Sequence, residues 1–231
     1  MTTSGVFSPT STRDTIVYGA LRLVGAYAAE DTPRTQQVTD ATIALNMMLK
    51  SWQVSGFMWL REFREIALLQ GVDYYPLPDA TTINYRPTRV FSATVKDTNG
   101  NEVVLRSMSR IDYMELPNKL QTGRPTSFYY DPRHTTGRLY VWPVASNDTL
   151  LLEIDVDRPL QIMVDGTDTF DCPDEWIECI KYGLATRLAP EYGLPLAERQ
   201  LITTEYMGLR QNILDYNFDY TSTFIEGDYN G

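Results

Sequence analysis

The chain has 231 residues, with 30 Asp and Glu against 20 Lys and Arg, one His and two Cys, for a net charge of −10 at pH 7. At ~150 residues per domain that length is one large domain, or one domain carrying an insertion; 15 Tyr, 8 Phe and 4 Trp exclude a disordered chain. The surplus of acid excludes a strong, sequence-independent grip on nucleic acid, because affinity for phosphate comes from Lys and Arg displacing counterions.

The opening stretch, residues 1–9, has neither a basic n-region nor an apolar h-region, so no signal peptide is expected. No run approaches ~18 apolar residues, so no membrane span is expected either. The first helix is predicted over 12–28, with Thr12 as cap, Asp14 in the first turn, and Ile16, Val17, Ala20, Leu23, Val24 and Tyr27 recurring at three and four. Thr32-Pro33 announces a second helix, with Val38, Ala41, Leu45, Met48, Leu49 and Trp52 on one face and a stop near Gly56. The short Glu30-Asp31 connection makes the two an antiparallel helical hairpin.

Beyond Gly56 the pattern turns to short β-rich pieces. Residues 64–69 and 74–77 read as a hairpin-like pair, the second arm carrying Pro76 as an edge strand would. Residues 90–96 and 102–106 flank Asn99-Gly100, the signal for a type I′ turn. Residues 109–116 read as a short helix capped by Ser109 and ended by Pro117. Strands follow at 127–130, 139–142 and 150–156, with turns at Gly137 and Asn147-Asp148. The helical period returns near Asp171: Pro173 suits a first helical position, and Trp176, Ile177, Ile180, Leu184 and Leu188 form a stripe that stops at Pro190. A last helix starts near Pro195 and carries Ile202, Tyr206, Leu209, Ile213 and Tyr216.

These elements predict an α+β protein. Two N-terminal and two C-terminal helices form an antiparallel helical core, an antiparallel β-rich lobe is inserted between them, and an extended C-terminal arm follows. The expected boundaries are 1–57, 58–170, 171–216 and 217–231. Leu23, Val24, Leu45, Trp52, Trp176, Ile180, Leu184 and Leu209 are the expected packing residues of the core.

Little of the chain reads as chemistry. Phosphate loops, dinucleotide fingerprints, zinc-protease helices and nucleophile elbows are absent from the sequence, and no cofactor is expected. Seven residues of helix put Cys172 and Cys179 ~10 Å apart, too far for a disulfide, so both are expected reduced. Cys172, at a helix N-terminus, is the better nucleophile of the two, yet His134 is the only imidazole and no motif pairs them. His134 itself sits in the turn-like stretch 131–137 without Cys or His neighbours, so no metal site is expected. Glu62 with Glu65, and Asp112 with Glu115, have spacings that a glycosidase could use, but solvated charge explains them as well.

The tail is richer. Tyr216, Phe218, Tyr220, Phe224, Ile225 and Tyr229 are interspersed with Asp215, Asp219, Glu226 and Asp228. Extended backbone would place residues 216, 218 and 220 on one side, as in an arm that orders on a partner subunit. A frayed terminus, or an arm folded on its own domain, is the alternative.

Several segments together resemble a known family. They are Thr12-Arg13-Asp14-Thr15-Ile16-Val17-Tyr18-Gly19-Ala20-Leu21-Arg22-Leu23-Val24-Gly25-Ala26, Ala44-Leu45-Asn46-Met47-Met48-Leu49-Lys50-Ser51-Trp52, and Gly123-Arg124-Pro125-Thr126 ahead of Phe128-Tyr129-Tyr130. Leu139-Tyr140-Val141-Trp142-Pro143 and Pro173-Asp174-Glu175-Trp176, leading to residues 184–193, complete the set. In this order, from about residue 12 to 215, the chain resembles the head-to-tail adaptors of short-tailed bacteriophages, the tail accessory, head-completion or packaged-DNA stabilisation proteins. The resemblance implies a ring of about twelve copies, a dodecamer, docked under the portal at the head-tail junction of the virion and assembled in the host cytoplasm. Its implied partners are the portal ring, a tail or nozzle protein and neighbouring copies. DNA would be retained after packaging and would leave through the ring without specific binding. The helical core would face the portal, and the segment from Tyr216 to Tyr229 would be a portal-binding arm. A channel lined with acidic or mixed charge would let DNA slide. Two other classes remain open: a peptidoglycan-hydrolysing virion enzyme with a carboxylate pair, and a tail-end glycan or receptor binder using Tyr and Trp of the β lobe.

Overall fold

The computed structural model describes residues 11–28, 30–54, 60–79 and 83–216. In chain order the elements are α1 (Arg13–Leu23), α2 (Thr35–Val54), β1 (Leu60–Ala67), β2 (Tyr74–Leu77), β3 (Arg89–Lys96), β4 (Glu102–Val104) and β5 (Arg106–Ser107). Then come α3 (Arg110–Glu115), β6 (Thr122–Gly123), β7 (Ser127–Asp131), β8 (Gly137–Trp142), β9 (Val144–Ala145), β10 (Leu151–Arg158), α4 (Trp176–Leu188) and α5 (Leu196–Tyr216). They fall into two compact units, one from Met1–Phe57 with Gln161–Gly231, the other Met58–Leu160.

In the helical unit, the Thr12 hydroxyl caps α1 by accepting from Thr15 N–H. The helix ends at Leu23, not 28. Gly25 takes φ +63°, its N–H donates to Arg22 O (3.0 Å), and Ala26 N–H donates to Leu21 O (3.0 Å). This left-handed cap turns the chain away before Tyr27 can join the stripe. α2 begins at Thr35 rather than at Thr32-Pro33, because the side chain of Gln37 accepts from Arg34 N–H (2.9 Å) and sets the first turn there. The stop expected near Gly56 lies outside the described residues.

α4 packs on α1, α2 and α5, and α1 packs on α2. Gly183 makes the α2/α4 approach: a Cβ there would stand 2.8 Å from Trp52 Cζ2 and 3.1 Å from Met48 Sδ. Trp52 also stacks on Tyr206 of α5, with centroids 6.0 Å apart. Val24, Leu45, Trp52, Trp176, Ile180 and Leu184 are buried, whereas Leu23 and Leu209 are half-buried and Leu21 occupies the interior.

Residues 161–170, which periodicity assigns to the lobe, belong with the helices. The Asn46 amide clamps Met163, donating to its carbonyl (2.8 Å) and accepting from its N–H (2.9 Å). Arg13 and Asp14 N–H donate to Asp168 O (2.8 Å) and Gly166 O (3.2 Å). The strap thus fills the open donors of the first turn of α1.

The lobe is a sandwich of two four-stranded sheets, ordered β1-β10-β3-β4 and β2-β8-β7-β5, with a small β6-β9 pair. Ile66, Ala93, Val95, Leu152, Ile154 and Val156 from the first sheet meet Tyr75, Leu77, Phe128, Leu139 and Val141 from the second in one core. Three expectations need correcting. Segments 64–69 and 74–77 do not pair: β1 pairs with β10 and β2 with β8, in different sheets. Pro76, without an N–H, fits β2 as an edge strand whatever its partner is. The turn at Asn99-Gly100 is not type I′, since only Gly100 has positive φ (+81°). Instead the Asp97 carboxylate accepts from Asn99 N–H, Asn101 N–H and Asn101 Nδ2, each at 2.9 Å, and organises a wider loop. Finally, the sheets are not wholly antiparallel. β5 runs parallel to β7, because the stretch carrying α3 crosses over between them, and β6 runs parallel to β9, with β7 and β8 lying between them in the chain. α3 itself has the expected Ser109 cap, completed by Asp112 as a capping box.

Candidate functional site

The register of the second sheet brings three tyrosines into one row. Tyr74 of β2 and Tyr129 of β7 each lie opposite Tyr140 of β8. Ring centroids are 5.7 Å apart for Tyr74 and Tyr140, and 5.8 Å for Tyr129 and Tyr140. Tyr113 of α3 lies over the row, 4.7 Å from Tyr140 and 5.4 Å from Tyr129. Burial, with Asp73 nearby, pushes the Tyr113 phenol up to about 12, so it stays neutral. Cations frame the rings: the Arg138 guanidinium sits 4.4 Å from the Tyr74 centroid and the Lys119 ammonium 5.5 Å from that of Tyr113.

An open cleft of about 580 Å3 adjoins this row, lined by Val72, Tyr74, Pro76, Arg133, Thr135, Thr136 and Arg138. Arg133 is fixed through Nε, which donates to Asp131 Oδ2 at 2.7 Å. Guanidiniums, hydroxyls and an aromatic face together suit an anionic group beside an apolar or aromatic one.

The outer face of the first sheet is chemically different. Lys96 Nζ reaches Glu153 (2.7 Å), Glu102 (3.4 Å) and Glu65 (3.7 Å). Arg61 pairs with Asp155 (2.7 Å) and lies 4.1 Å over the Phe91 ring. Asp157 is buried, and Oδ1 of both Asp155 and Asp157 lacks a hydrogen-bond partner. Burial raises the Asp157 pKa, against the pull of its bond from Leu60 and of Arg89 and Arg61. In the helical unit, Trp176, Leu209 and Ile213 line a groove of about 260 Å3 rimmed by Glu175 and Glu178.

Of the carboxylates singled out from the sequence, Glu115 is exposed and the other three are engaged elsewhere. Glu62 pairs with Arg64 (3.1 Å) and Arg158 (3.8 Å), Glu65 with Lys96, and Asp112 caps α3. Both cysteines are free thiols. Cys172 runs against the activated-thiol expectation: burial, with Asp171, Asp174 and Glu175 around it, pushes its pKa up to about 12. Burial does the same for Cys179. His134 is exposed in the β7–β8 loop. Phe218, Tyr220, Phe224, Ile225 and Tyr229 lie outside the described residues, and α5 ends at Tyr216. Sequence reasoning missed the tyrosine row. The β7–β8 hairpin would have put Tyr129 opposite Tyr140, but nothing local connects Tyr74 or Tyr113 to them.

The SU10 adaptor protein family matches residues 14–219, from the first turn of α1 to just beyond α5. The chain belongs to this family. An SU10 adaptor protein is a phage head-tail adaptor, and it associates with other head and tail components of the particle. The match takes in the tyrosine row, the cationic cleft and the helical groove alike. No curated protein matches this SU10 adaptor. Among its described residues no helix is long and apolar enough to cross a membrane, and no group of three or more His, Cys, Asp or Glu is placed to hold a metal.

Proposed function

We propose that this adaptor forms a ring of about twelve copies beneath the portal, at the neck of the virion, without catalytic turnover. The ring retains the packaged DNA, offers the platform on which the tail or nozzle protein docks, and forms part of the ejection channel. The family match across 14–219 is the observation that carries this reading. The acid surplus supports the channel role: about twelve copies at −10 each surround the duplex with repulsive charge, so it slides rather than sticks. The helical unit is the portal-facing part, and the segment bearing Tyr216, Phe218, Tyr220, Phe224, Ile225 and Tyr229 leaves it as an interface arm.

The test is assembly. Purified chain mixed with the portal ring of the same phage is expected to give stoichiometric decoration by native mass spectrometry, and a chain ended at Asp215 weaker decoration. A portal ring that stays bare with the full chain overturns the reading. A continuous Arg and Lys lining in an imaged ring would overturn the channel part alone. Clearing of a peptidoglycan gel, lost on a single Glu→Gln or Asp→Asn change, would overturn the absence of turnover.

A further inference from the structure

We infer that the cationic tyrosine cleft of the β lobe takes the acidic, aromatic segment 217–231 of a second copy of the chain. This rests on the ring reading above and gives it a subunit-to-subunit contact.

The cleft is unusual on a protein with a net charge of −10: its lining holds two arginines and no carboxylate. Asp131 holds Arg133 through Nε, which leaves the two terminal nitrogens to face a second carboxylate. The Arg138 guanidinium rests over the Tyr74 ring, 4.4 Å from its centroid, which spares an incoming carboxylate the ordering of a loose side chain. Asp73 and Asp131 are the nearby acids. Neither lines the cleft, and Asp131 is already committed to Arg133.

The segment has the opposite chemistry. Residues 217–231 contain Asp219, Glu226 and Asp228, with no Lys, Arg or His, and Phe218, Tyr220, Phe224 and Tyr229 are interspersed among them. Its rings would extend the Tyr74–Tyr140–Tyr129 row, and its carboxylates would meet Arg133 and Arg138. Recognition must run through side chains, because β2 is an edge strand whose Pro76 has no N–H for strand addition. The acid-rimmed groove of Trp176, Leu209 and Ile213 suits the segment less well, since Glu175 and Glu178 would repel it.

Fifteen residues can span roughly 50 Å when extended, enough to reach from one subunit to the next. A segment of one copy seated in a cleft of the next is a head-to-tail contact, the kind that repeats around a ring until it closes.

Two variants of the full chain test the inference by sedimentation velocity over a concentration series. One carries Arg133→Glu and Arg138→Glu. The other carries Asp219→Asn, Glu226→Gln and Asp228→Asn, which leaves the lobe's own sequence untouched. The unaltered chain is expected to self-associate, and each variant to do so about ten-fold or more weakly. Mixed together, the variants are expected to pair with each other, because the first keeps an intact segment and the second an intact cleft. Full chain that stays monomeric, association unchanged in the segment variant, or no pairing in the mixture overturns the inference. Portal decoration by the unaltered chain, measured alongside, shows separately whether the ring reading stands.

Discussion

The helical unit and the β lobe close their cores over different chain distances. The lobe is one continuous stretch, Met58–Leu160, whose sandwich core needs nothing from the rest of the chain. The helical unit is assembled from both sides of that stretch: α1 and α2 come before it, the 161–170 strap, α4 and α5 after. Its closure depends on a few specific groups, namely Gly183 against Trp52 and Met48, and Asn46 around Met163. The two also present different surfaces, tyrosines with arginines on the second sheet of the lobe and an acid-rimmed apolar groove on the helices. A protein that joins two partners gains from such a split, because each surface can be tuned without disturbing the other core.

If the units are separate in stability, core lesions should register in one and not the other. The largest effect is expected from Phe128→Ala, which empties a fully buried site in the sandwich and should cost about 3–5 kcal/mol. Calorimetry should show the lobe's transition falling while the helical one stays. A common shift of both would break the comparison. Gly183→Ala should act in reverse, costing the helical unit ~1–3 kcal/mol, because the Trp52 ring that its methyl would meet at 2.8 Å is pinned by Tyr206. Asn46→Ala removes both bonds to Met163 and should cost ~1–2 kcal/mol, with faster hydrogen exchange at Met163 as the local readout.

The smallest effect sharpens the comparison through pH. Burial raises the Asp157 pKa in the folded lobe, so the folded state binds its proton more tightly than the unfolded chain. Stability therefore falls as pH rises from the ordinary carboxylate value of 3.8 through the raised one. Asp157→Asn should raise the melting temperature of the lobe at pH 7. That gain should shrink below the raised pKa and vanish below 3.8. An equal gain at all pH values would mean that the charge is not its cause.

What could be read without coordinates follows the range of the forces involved. Thr12 capping α1, Ser109 and Asp112 boxing α3, and the stripe from Trp176 to Leu188 are contacts within a turn or two, so spacing alone reveals them. The end of α1 was equally local: Gly25 was there to be read, but apolar spacing carried the helix on to Tyr27. Strand partners were beyond reach. Arg61 meets Asp157 of β10 and Pro76 meets Arg138 of β8, and several alternating segments could have served either strand. The cleft inherits that difficulty, since Val72, Tyr74 and Pro76 come from one edge while Arg133, Thr135, Thr136 and Arg138 come from a later hairpin.

The amino-acid sequence by itself determined the class of the protein, its helices with the Thr12 and Ser109 caps, its acid surplus, and the ordered segments that mark an SU10 adaptor, because these depend on composition and on neighbours a few residues apart. Only the tertiary structure decided which strands pair, that residues 161–170 strap the first turn of α1, and that four tyrosines and two arginines share one face of the lobe. Those outcomes rest on burying apolar faces and satisfying backbone groups across long stretches of chain, a competition among many partners that is settled only when the whole unit packs.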